Sequence, residues 1–373
     1  MGGVIVWQGR MPRHILHITR KSYAKRNASQ LHRNPSSLLI NCGLGTNPLG
    51  VPPGVRRVLR SFHKWEICQY PPPVAENLTG AIARYLEIAE LGNNIVLGHG
   101  CIDILITLIR LLLPPGSLLS GVSPQFTDMP LQAMLGNARY HPVILKPPRF
   151  EADLEIWERV SRQRPHVLYI DRPHNPTGQV LPLEDLRMIV DGCRERGCWV
   201  IVDEAYGDYL TTGESAINID SPNCIVTRSF SKAWGLAGMR VGYGVIRDPE
   251  LLQIFKILQP PFSISLPGIE AALAALEDND FLTETKKYVL GAKKAIINRL
   301  EGKTCIEIAH THPSTPIMML RHRRGNFFEI LAQAGIDTEP GSGYLDMDDS
   351  AVRLRVPPPE DLERTLAILS GIS

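Results

Sequence analysis

The 373-residue chain is short of several things at once, and each shortage excludes something. No apolar run reaches the roughly 18–20 residues of a membrane span. The longest, around Ile102–Leu113, is interrupted by Asp103 and Arg110, so no membrane partner is expected. Neither charge sign dominates. Lys plus Arg number 40 against 38 Asp plus Glu, and a net charge of +2 gives no footprint for a nucleic-acid partner. Cysteine is sparse and odd in number: seven, at 42, 68, 101, 193, 198, 224 and 305, with no CxxC pair. That argues against a disulfide framework and a zinc centre, so no metal is expected and a reducing, cytoplasmic compartment fits best. Cys193 and Cys198, with four residues between them, read as small buried hydrophobes. Glycine and proline are scattered without period, which excludes a fibrous chain.

Acid is missing from the start. No Asp or Glu precedes Glu66, while the first 35 residues carry Arg10, Arg13, Arg20, Lys21, Lys25, Arg26 and Arg33. Residues 1–37 therefore read as a basic N-terminal arm or tail, and an organellar transit peptide is the competing reading. The apolar stretch Val4–Trp7 is too short for a secretory signal.

What is present is an ordinary globular balance, 44% hydrophobic and 21% charged, enough for a large core. Apolar runs at Leu118–Val122, Ala138–Val143, Val167–Ile170, Trp199–Val202, Cys224–Thr227 and Val241–Ile246 alternate with helical patterns such as Met129–Leu135, Leu154–Gln163 and Leu183–Arg196. Strands that are apolar throughout predict a mostly parallel sheet covered on both faces, an α/β three-layer fold. Upstream, Pro53–Lys64, Thr79–Leu91 and Cys101–Leu113 read as helices. After Pro260-Pro261 the pattern shifts to long helices, then short strands at Ile306–Ala309, Ile317–Arg321 and Ala351–Val356, a smaller α+β C-terminal domain. The expected division is 38–65 as a segment packing with the small domain, 66–260 as the large domain and 261–373 as the small one.

Four segments fall at strand ends, where an open α/β sheet binds ligands. Gly98-His99-Gly100-Cys101-Ile102-Asp103 places glycines and free N–H groups at a helix start, suited to a phosphate; Asp103 stands where a dinucleotide fingerprint needs its third glycine. Asn175-Pro176-Thr177-Gly178 is a tight turn after Val167–Ile170. Asp203-Glu204-Ala205-Tyr206 follows Trp199–Val202, and a carboxylate at the end of a buried strand calls for a cationic partner. Arg228-Ser229-Phe230-Ser231-Lys232 surrounds a lysine with hydroxyls and small residues, the setting of a desolvated, nucleophilic amine, and Arg240 comes eight residues later.

Taken in order, NPTG, DEAY and SFSKAWGLAGMRVGY, with 28 residues from Asn175 to Asp203 and 29 from Asp203 to Lys232, resemble the fold-type I pyridoxal-phosphate enzymes of the class I/II aminotransferase superfamily. The likeness spans about residues 40–370. It is nearest to histidinol-phosphate aminotransferases and threonine-phosphate decarboxylases, which the GTNPLG and QYPP segments also resemble. The resemblance implies pyridoxal 5'-phosphate as cofactor. Lys232 would hold it as a Schiff base and move the substrate Cα proton. Asp203 would pair with the ring N–H⁺, and Asn175 and Tyr206 would bond the ring oxygen. Ser229, Ser231, Arg240 and the N–H groups of Gly100, Cys101 and Ile102 would hold the phosphate. Phe126, in SPQFTD, matches the aromatic that stacks on the ring, and Tyr70 a tyrosine that reaches the neighbouring subunit's phosphate, which implies a homodimer with shared sites. Arg353, in AVRLRV, matches the arginine that forks onto the substrate carboxylate, and Asn47 is placed in the same pocket.

Some positions depart from that family's pattern. Arg355 shares a strand face with Arg353 and stands where a small polar residue is usual, so it reads either as a second anion site or as a solvated side chain. Cys101 replaces a hydroxyl residue, and Gly341–Tyr344 reads as a hairpin turn or a lid. The expected activity is amino transfer from an L-amino acid to a 2-oxo acid. Elimination, dehydrative cyclisation or decarboxylation by the same residues is the alternative.

Overall fold

The computed structural model describes residue 18, residues 39–64 and residues 68–372; the basic arm, apart from Ile18, lies outside them. A seven-stranded sheet forms the centre. Its strands are β2 (Ile95–Gly98), β3 (Leu118–Ser123), β4 (Arg139–Ile144), β5 (Val167–Asp171), β6 (Trp199–Asp203), β7 (Cys224–Ser229) and β8 (Gly242–Ile246), in the order β2-β8-β7-β6-β5-β3-β4. All neighbours are parallel except β8, which runs antiparallel to both β2 and β7.

Side-chain alternation explains why these strands read as unbroken apolar runs. Leu168, Ile170, Val200 and Val202 face one layer, where Leu78, Ile82, Trp157, Val160, Leu186 and Ile189 pack. Val167, Tyr169, Ile201 and Ile225 face the other, with Ile104, Leu105, Leu108, Met129, Leu251 and Phe255. The first layer is supplied by α2 (Glu76–Tyr85), α5 (Leu154–Ser161) and α6 (Leu183–Glu195), the second by α3 (Cys101–Leu112), α4 (Asp128–Leu135) and α7 (Pro249–Leu258).

A second core joins Ile40, Ile296, Met318, Leu320, Phe327, Val352, Leu354 and Leu366. It underlies a four-stranded antiparallel sheet of β9 (Ile306–Ile308), β10 (Ile317–His322), β12 (Glu339–Pro340) and β13 (Ala351–Arg355). Around it lie α9 (Asn279–Leu300), α10 (Phe327–Gln333) and α11 (Leu362–Gly371). Strand β1 (Ile40–Asn41) pairs in parallel with β11 (Ile336–Asp337), so the chain's early segment is tied to this late one. Helix α1 (Pro53–Arg60) packs against α8 (Leu266–Leu276).

One expected element differs, and one helix was not expected. The helix predicted over Thr79–Leu91 runs from Glu76 to Tyr85 and resumes as a 3₁₀ turn at Ala89–Asn94, because Glu87 takes a left-handed φ of 59° that no continuous helix admits. Helix α7 has no counterpart in the sequence reading, although Asp248 caps it, accepting the N–H of Leu251 at 2.8 Å, and Pro249 opens it.

Candidate active site

The carboxyl ends of β2, β3, β5, β6 and β7 meet at one rim. Antiparallel β8 brings its amino end there too, since Gly242 registers with both Gly98 and Ser229. A cavity of about 450 Å³ opens at this rim. On its wall the structure gathers Cys101, Ile102, Phe126, Asn175, Asp203, Tyr206, Ser229, Ser231, Lys232, Arg240 and Arg353.

Asp203 is the last residue of β6 and is buried. Burial pushes its pKa up to about 6, with Asp171 adding to the rise; hydrogen bonds from the Tyr169 hydroxyl, the Ala205 N–H and the Thr227 hydroxyl oppose it. Lys232 sits three residues beyond β7, its Nζ 5.1 Å from the centroid of the Tyr206 ring. The Tyr206 hydroxyl is buried against Gly45 and has no hydrogen-bond partner among the described residues.

Asn175 is oriented by its neighbours. Its Oδ1 accepts from Arg353 Nη1 at 2.9 Å and from the Tyr344 hydroxyl at 3.2 Å. A guanidinium only donates, so that atom is the oxygen, and the amide nitrogen is left as the group available to a ligand. Arg353 also donates to the Gly43 carbonyl at 2.8 Å.

The opposite part of the wall is built for an anion. Gly100 has φ 76° and a Cβ there would sit 2.6 Å from Arg240 Nη2, so only glycine lets α3 begin against that guanidinium. Arg240, itself left-handed at φ 55°, donates to the Ser231 hydroxyl, the Ala237 carbonyl and the His99 carbonyl at 3.3, 2.9 and 3.2 Å. The Ser229 hydroxyl accepts the Ser231 N–H at 3.2 Å. Burial pushes the Cys101 thiol well up, which leaves its backbone N–H as its useful polar group.

Behind the rim, Glu204 joins the ends of β6 and β7. It accepts from Arg228 at 3.0 and 2.9 Å and from Arg172 at 3.3 Å, and Arg228 also pairs with Asp208 at 2.7 Å. Burial would raise the Glu204 carboxyl, but the two guanidinium groups, with hydrogen bonds from the Ala216 N–H and the Ser215 hydroxyl, hold it below its ordinary value.

Three sequence-derived placements change. Asn47 does not line the cavity: its amide donates to the Ala233 carbonyl at 2.6 Å and the Thr285 hydroxyl at 3.1 Å, clamping the segment that carries Lys232. Arg355 is neither solvated nor facing an anion. It is buried, with Nη1 on the Val356 carbonyl and Nη2 on the Asn41 carbonyl. Gly341–Tyr344 is neither a plain turn nor an open lid, since Tyr344 is buried with its hydroxyl on Asn175. Tyr70 lies away from the cavity, 82% exposed, its ring 4.9 Å from that of Phe262.

Asp171 went unread in the sequence. It lies on the cavity wall and accepts the N–H groups of Phe126 and Asn175 at 3.3 and 2.9 Å. Its signal was there, a carboxylate ending an apolar strand as Asp203 does. Among the described residues no group of three or more His, Cys, Asp or Glu is placed to hold a metal, and no helix is long and apolar enough to cross a membrane.

Residues 39–369 match the family described as aminotransferase class I and II. Among curated relatives, histidinol-phosphate aminotransferase 1 of Mesorhizobium japonicum is 29% identical over 92% of both chains. The histidinol-phosphate aminotransferase of Methanosarcina mazei is 30% identical over 91% of this chain and 89% of its own. Among solved structures, histidinol-phosphate aminotransferase from Sinorhizobium meliloti in complex with pyridoxal-5'-phosphate superposes with a TM-score of 0.78 at 23% identity, covering 93% of this chain and 97% of that one. Aspartate aminotransferase from Thermus thermophilus with maleate gives 0.81 at 20% identity, covering 97% and 99%. At these identities the two superpositions speak for the fold.

Proposed function

The chain belongs to the class I and II aminotransferases and is a pyridoxal-phosphate-dependent enzyme, and on that premise we propose that it moves the α-amino group of an L-amino acid to a 2-oxo acid, with Lys232 as the cofactor's lysine and Arg353 as the carboxylate clamp. One observation carries the reading. A single cavity holds a buried carboxylate, a lysine and a buried tyrosine hydroxyl without a partner among the described residues, with an arginine from β13 and another from the turn before β8 on its wall.

These residues fit pyridoxal phosphate. The lone Tyr206 hydroxyl and the oriented Asn175 amide would donate to the ring oxygen. Asp203, costly as an isolated buried anion, would face the protonated ring nitrogen. Ser229, Ser231, Arg240 and the N–H groups at the start of α3 would hold the phosphate, and Phe126 would cover a ring face. When bound, the cofactor supplies an electron sink for the pair released as the substrate Cα–H bond breaks. Lys232 Nζ would anchor the cofactor and, as a free amine, would take the substrate Cα proton. Arg353 fixes the substrate carboxylate and, through Asn175, couples substrate and ring positions. Elimination and decarboxylation are not favoured, since the relatives found are aminotransferases.

The exposed apolar side chains Tyr70, Val74, Ile257, Leu258 and Phe262 support a homodimer in which Tyr70 reaches the other subunit's site. Mixing Lys232→Ala with Tyr70→Phe protein tests this: recovered activity supports shared sites and additive inactivity refutes them. Seven unpaired cysteines support a reducing, cytoplasmic setting. The domain division at about residues 65 and 260 is retained as part of the same reading.

The activity is tested by titrating the holoenzyme's long-wavelength absorption band with L-amino acids and with histidinol phosphate, the compound for which the relatives are named. A donor that converts the cofactor to its aminated form, reversed by a 2-oxo acid, supports amino transfer. Turnover that needs no 2-oxo acid refutes it.

A further inference from the structure

We propose that His174 is a positioning residue of the cofactor site, the bridge that fixes the turn carrying Phe126 to the loop carrying Asn175. The need for such a bridge lies in the sheet. Strands β3 and β5 are neighbours, yet they pair only at Leu119–Val167 and Ser120–Leu168. Towards the rim, where both deliver residues to the cavity, the ladder stops and side chains take over. Gln125 fills part of the gap, accepting the Val122 N–H at 3.2 Å and donating to the Tyr169 carbonyl at 3.1 Å and Asp171 Oδ1 at 2.9 Å. His174 closes the rest. It is buried, with Nε2 2.8 Å from the Pro124 carbonyl and Nδ1 2.8 Å from Thr177 Oγ1.

The hydrogen-bond network sets the tautomer. The Pro124 carbonyl only accepts, so Nε2 carries the proton. Thr177 Oγ1 accepts from Gln179 Nε2 at 2.9 Å and turns its own proton to Nδ1. The two bonds differ in reach. The bond to Thr177 stays inside the Asn175 loop, whereas the bond to Pro124 crosses from β5's loop to β3's turn, two residues before Phe126. Asp171 also crosses, through the N–H of Phe126, but it leaves the Pro124 carbonyl unmet. A buried carbonyl without a donor shifts or takes in water, and Phe126 would move with it.

Two substitutions separate the bonds. In His174→Gln the amide nitrogen reaches the position of Nε2 and keeps the crossing bond. In His174→Asn the shorter amide reaches only the position of Nδ1 and keeps the bond inside the loop. The apoproteins are compared by thermal melting. Pyridoxal phosphate affinity is read from quenching of tryptophan fluorescence, and the seating of the bound cofactor from its visible circular dichroism. Expected is a Kd about tenfold or more above wild type and an altered dichroic band for H174N, with H174Q within about twofold on both. Wild-type affinity and dichroism in H174N overturn the proposal, as does H174Q as impaired as H174N, which would assign the role to ring volume. If H174N does not fold, H174Q alone decides: wild-type behaviour supports the bridge and a tenfold loss refutes it. The proposal rests on the cavity being the cofactor's, which titration of the wild type tests separately.

Discussion

Asp203→Asn should make the apoprotein more stable and the holoenzyme worse. The carboxyl ends β6 in full burial, and its pKa is raised from 3.8 to about 6. That difference corresponds to a penalty of about 3 kcal/mol on the folded apoprotein at pH 8, where the group is ionised in both folded and unfolded states. Asparagine is isosteric and carries no such penalty. It has one acceptor oxygen where three donors now converge, from Tyr169, Ala205 and Thr227, so one hydroxyl must turn to accept from the new amide, at a cost of about 1 kcal/mol. The net gain of about 2 kcal/mol, spread over the unfolding entropy of a 373-residue chain, raises the apo Tm by about 2–3 °C. The sign with pH is fixed. An acid whose folded pKa is raised loses stability as pH climbs from 3.8 to about 6, and the penalty is complete above that. The variant's advantage is therefore largest at pH 8, narrows towards pH 5 and is gone by about pH 4.5, below which the hydrogen-bond cost leaves the variant slightly less stable than wild type. With cofactor present the order reverses, since asparagine cannot pair with a ring N–H⁺. Calorimetric scans of apo and holo forms at pH 8 and 5 are the assay. An apo variant that melts no higher than wild type at pH 8, or an advantage that does not change with pH, would refute the reasoning.

Two other substitutions probe the site, and a third probes a buried contact outside the cavity lining. Arg353→Lys replaces a fork that holds both Asn175 and the Gly43 carbonyl by a single ammonium, so the donor KM should rise by about tenfold to a hundredfold in steady-state assays. Gly45→Ala places a Cβ on the Tyr206 hydroxyl and 3.3 Å from Lys232 Nζ; kcat should fall by about a hundredfold while the apo melting temperature stays within about 2 °C of wild type. Lys293→Met deletes a buried amine, its pKa pushed well down by burial, whose nitrogen lies 2.6–2.8 Å from the Thr311 hydroxyl, the His312 carbonyl, the Thr315 hydroxyl and the Ile317 carbonyl, and denaturant titration should show a loss of about 2–3 kcal/mol.

The site was legible in the sequence wherever chemistry coincided with a strand end. Asp203, Lys232 and Asn175 each sit just past an apolar run, and a parallel sheet puts such positions together whatever their separation along the chain. Contacts made by reach across the fold were not legible. Asn47 lies one residue from Thr46, which does line the cavity, but the turn sends its amide to Ala233 and Thr285. Period-two reasoning rightly put Arg355 on the face of Arg353, yet nothing in AVRLRV shows that the Asn41 carbonyl covers it. The β1–β11 pair escaped because two-residue strands have no periodicity to read. Helix α7 escaped for a different reason: its cap and opening proline were visible, but it falls between the last central strand and Pro260-Pro261, where the alternation no longer guides the eye.

Several of the contacts that escaped have one chemistry in common, a buried side chain bonded to a main-chain carbonyl of a distant segment. His174 meets Pro124, Arg355 meets Asn41, Lys293 meets His312 and Ile317, and Arg172 meets Leu181 and Glu214. A strand ladder tolerates most side-chain changes because its bonds are main-chain on both sides. A bond from a side chain to a carbonyl depends on one side chain's length, so a change of a single methylene breaks it and strands an acceptor in the core. Where β3 and β5 part at the rim, the ladder's tolerance ends and the walls of the cavity depend on such reaches. Substitutions that look conservative by charge should therefore be harsh here. Replacing Lys293 by Arg brings an obligatory charge and five donors in a planar fork to a pocket where burial holds one amine well below its ordinary pKa, and it should destabilise the fold although the exchange looks conservative.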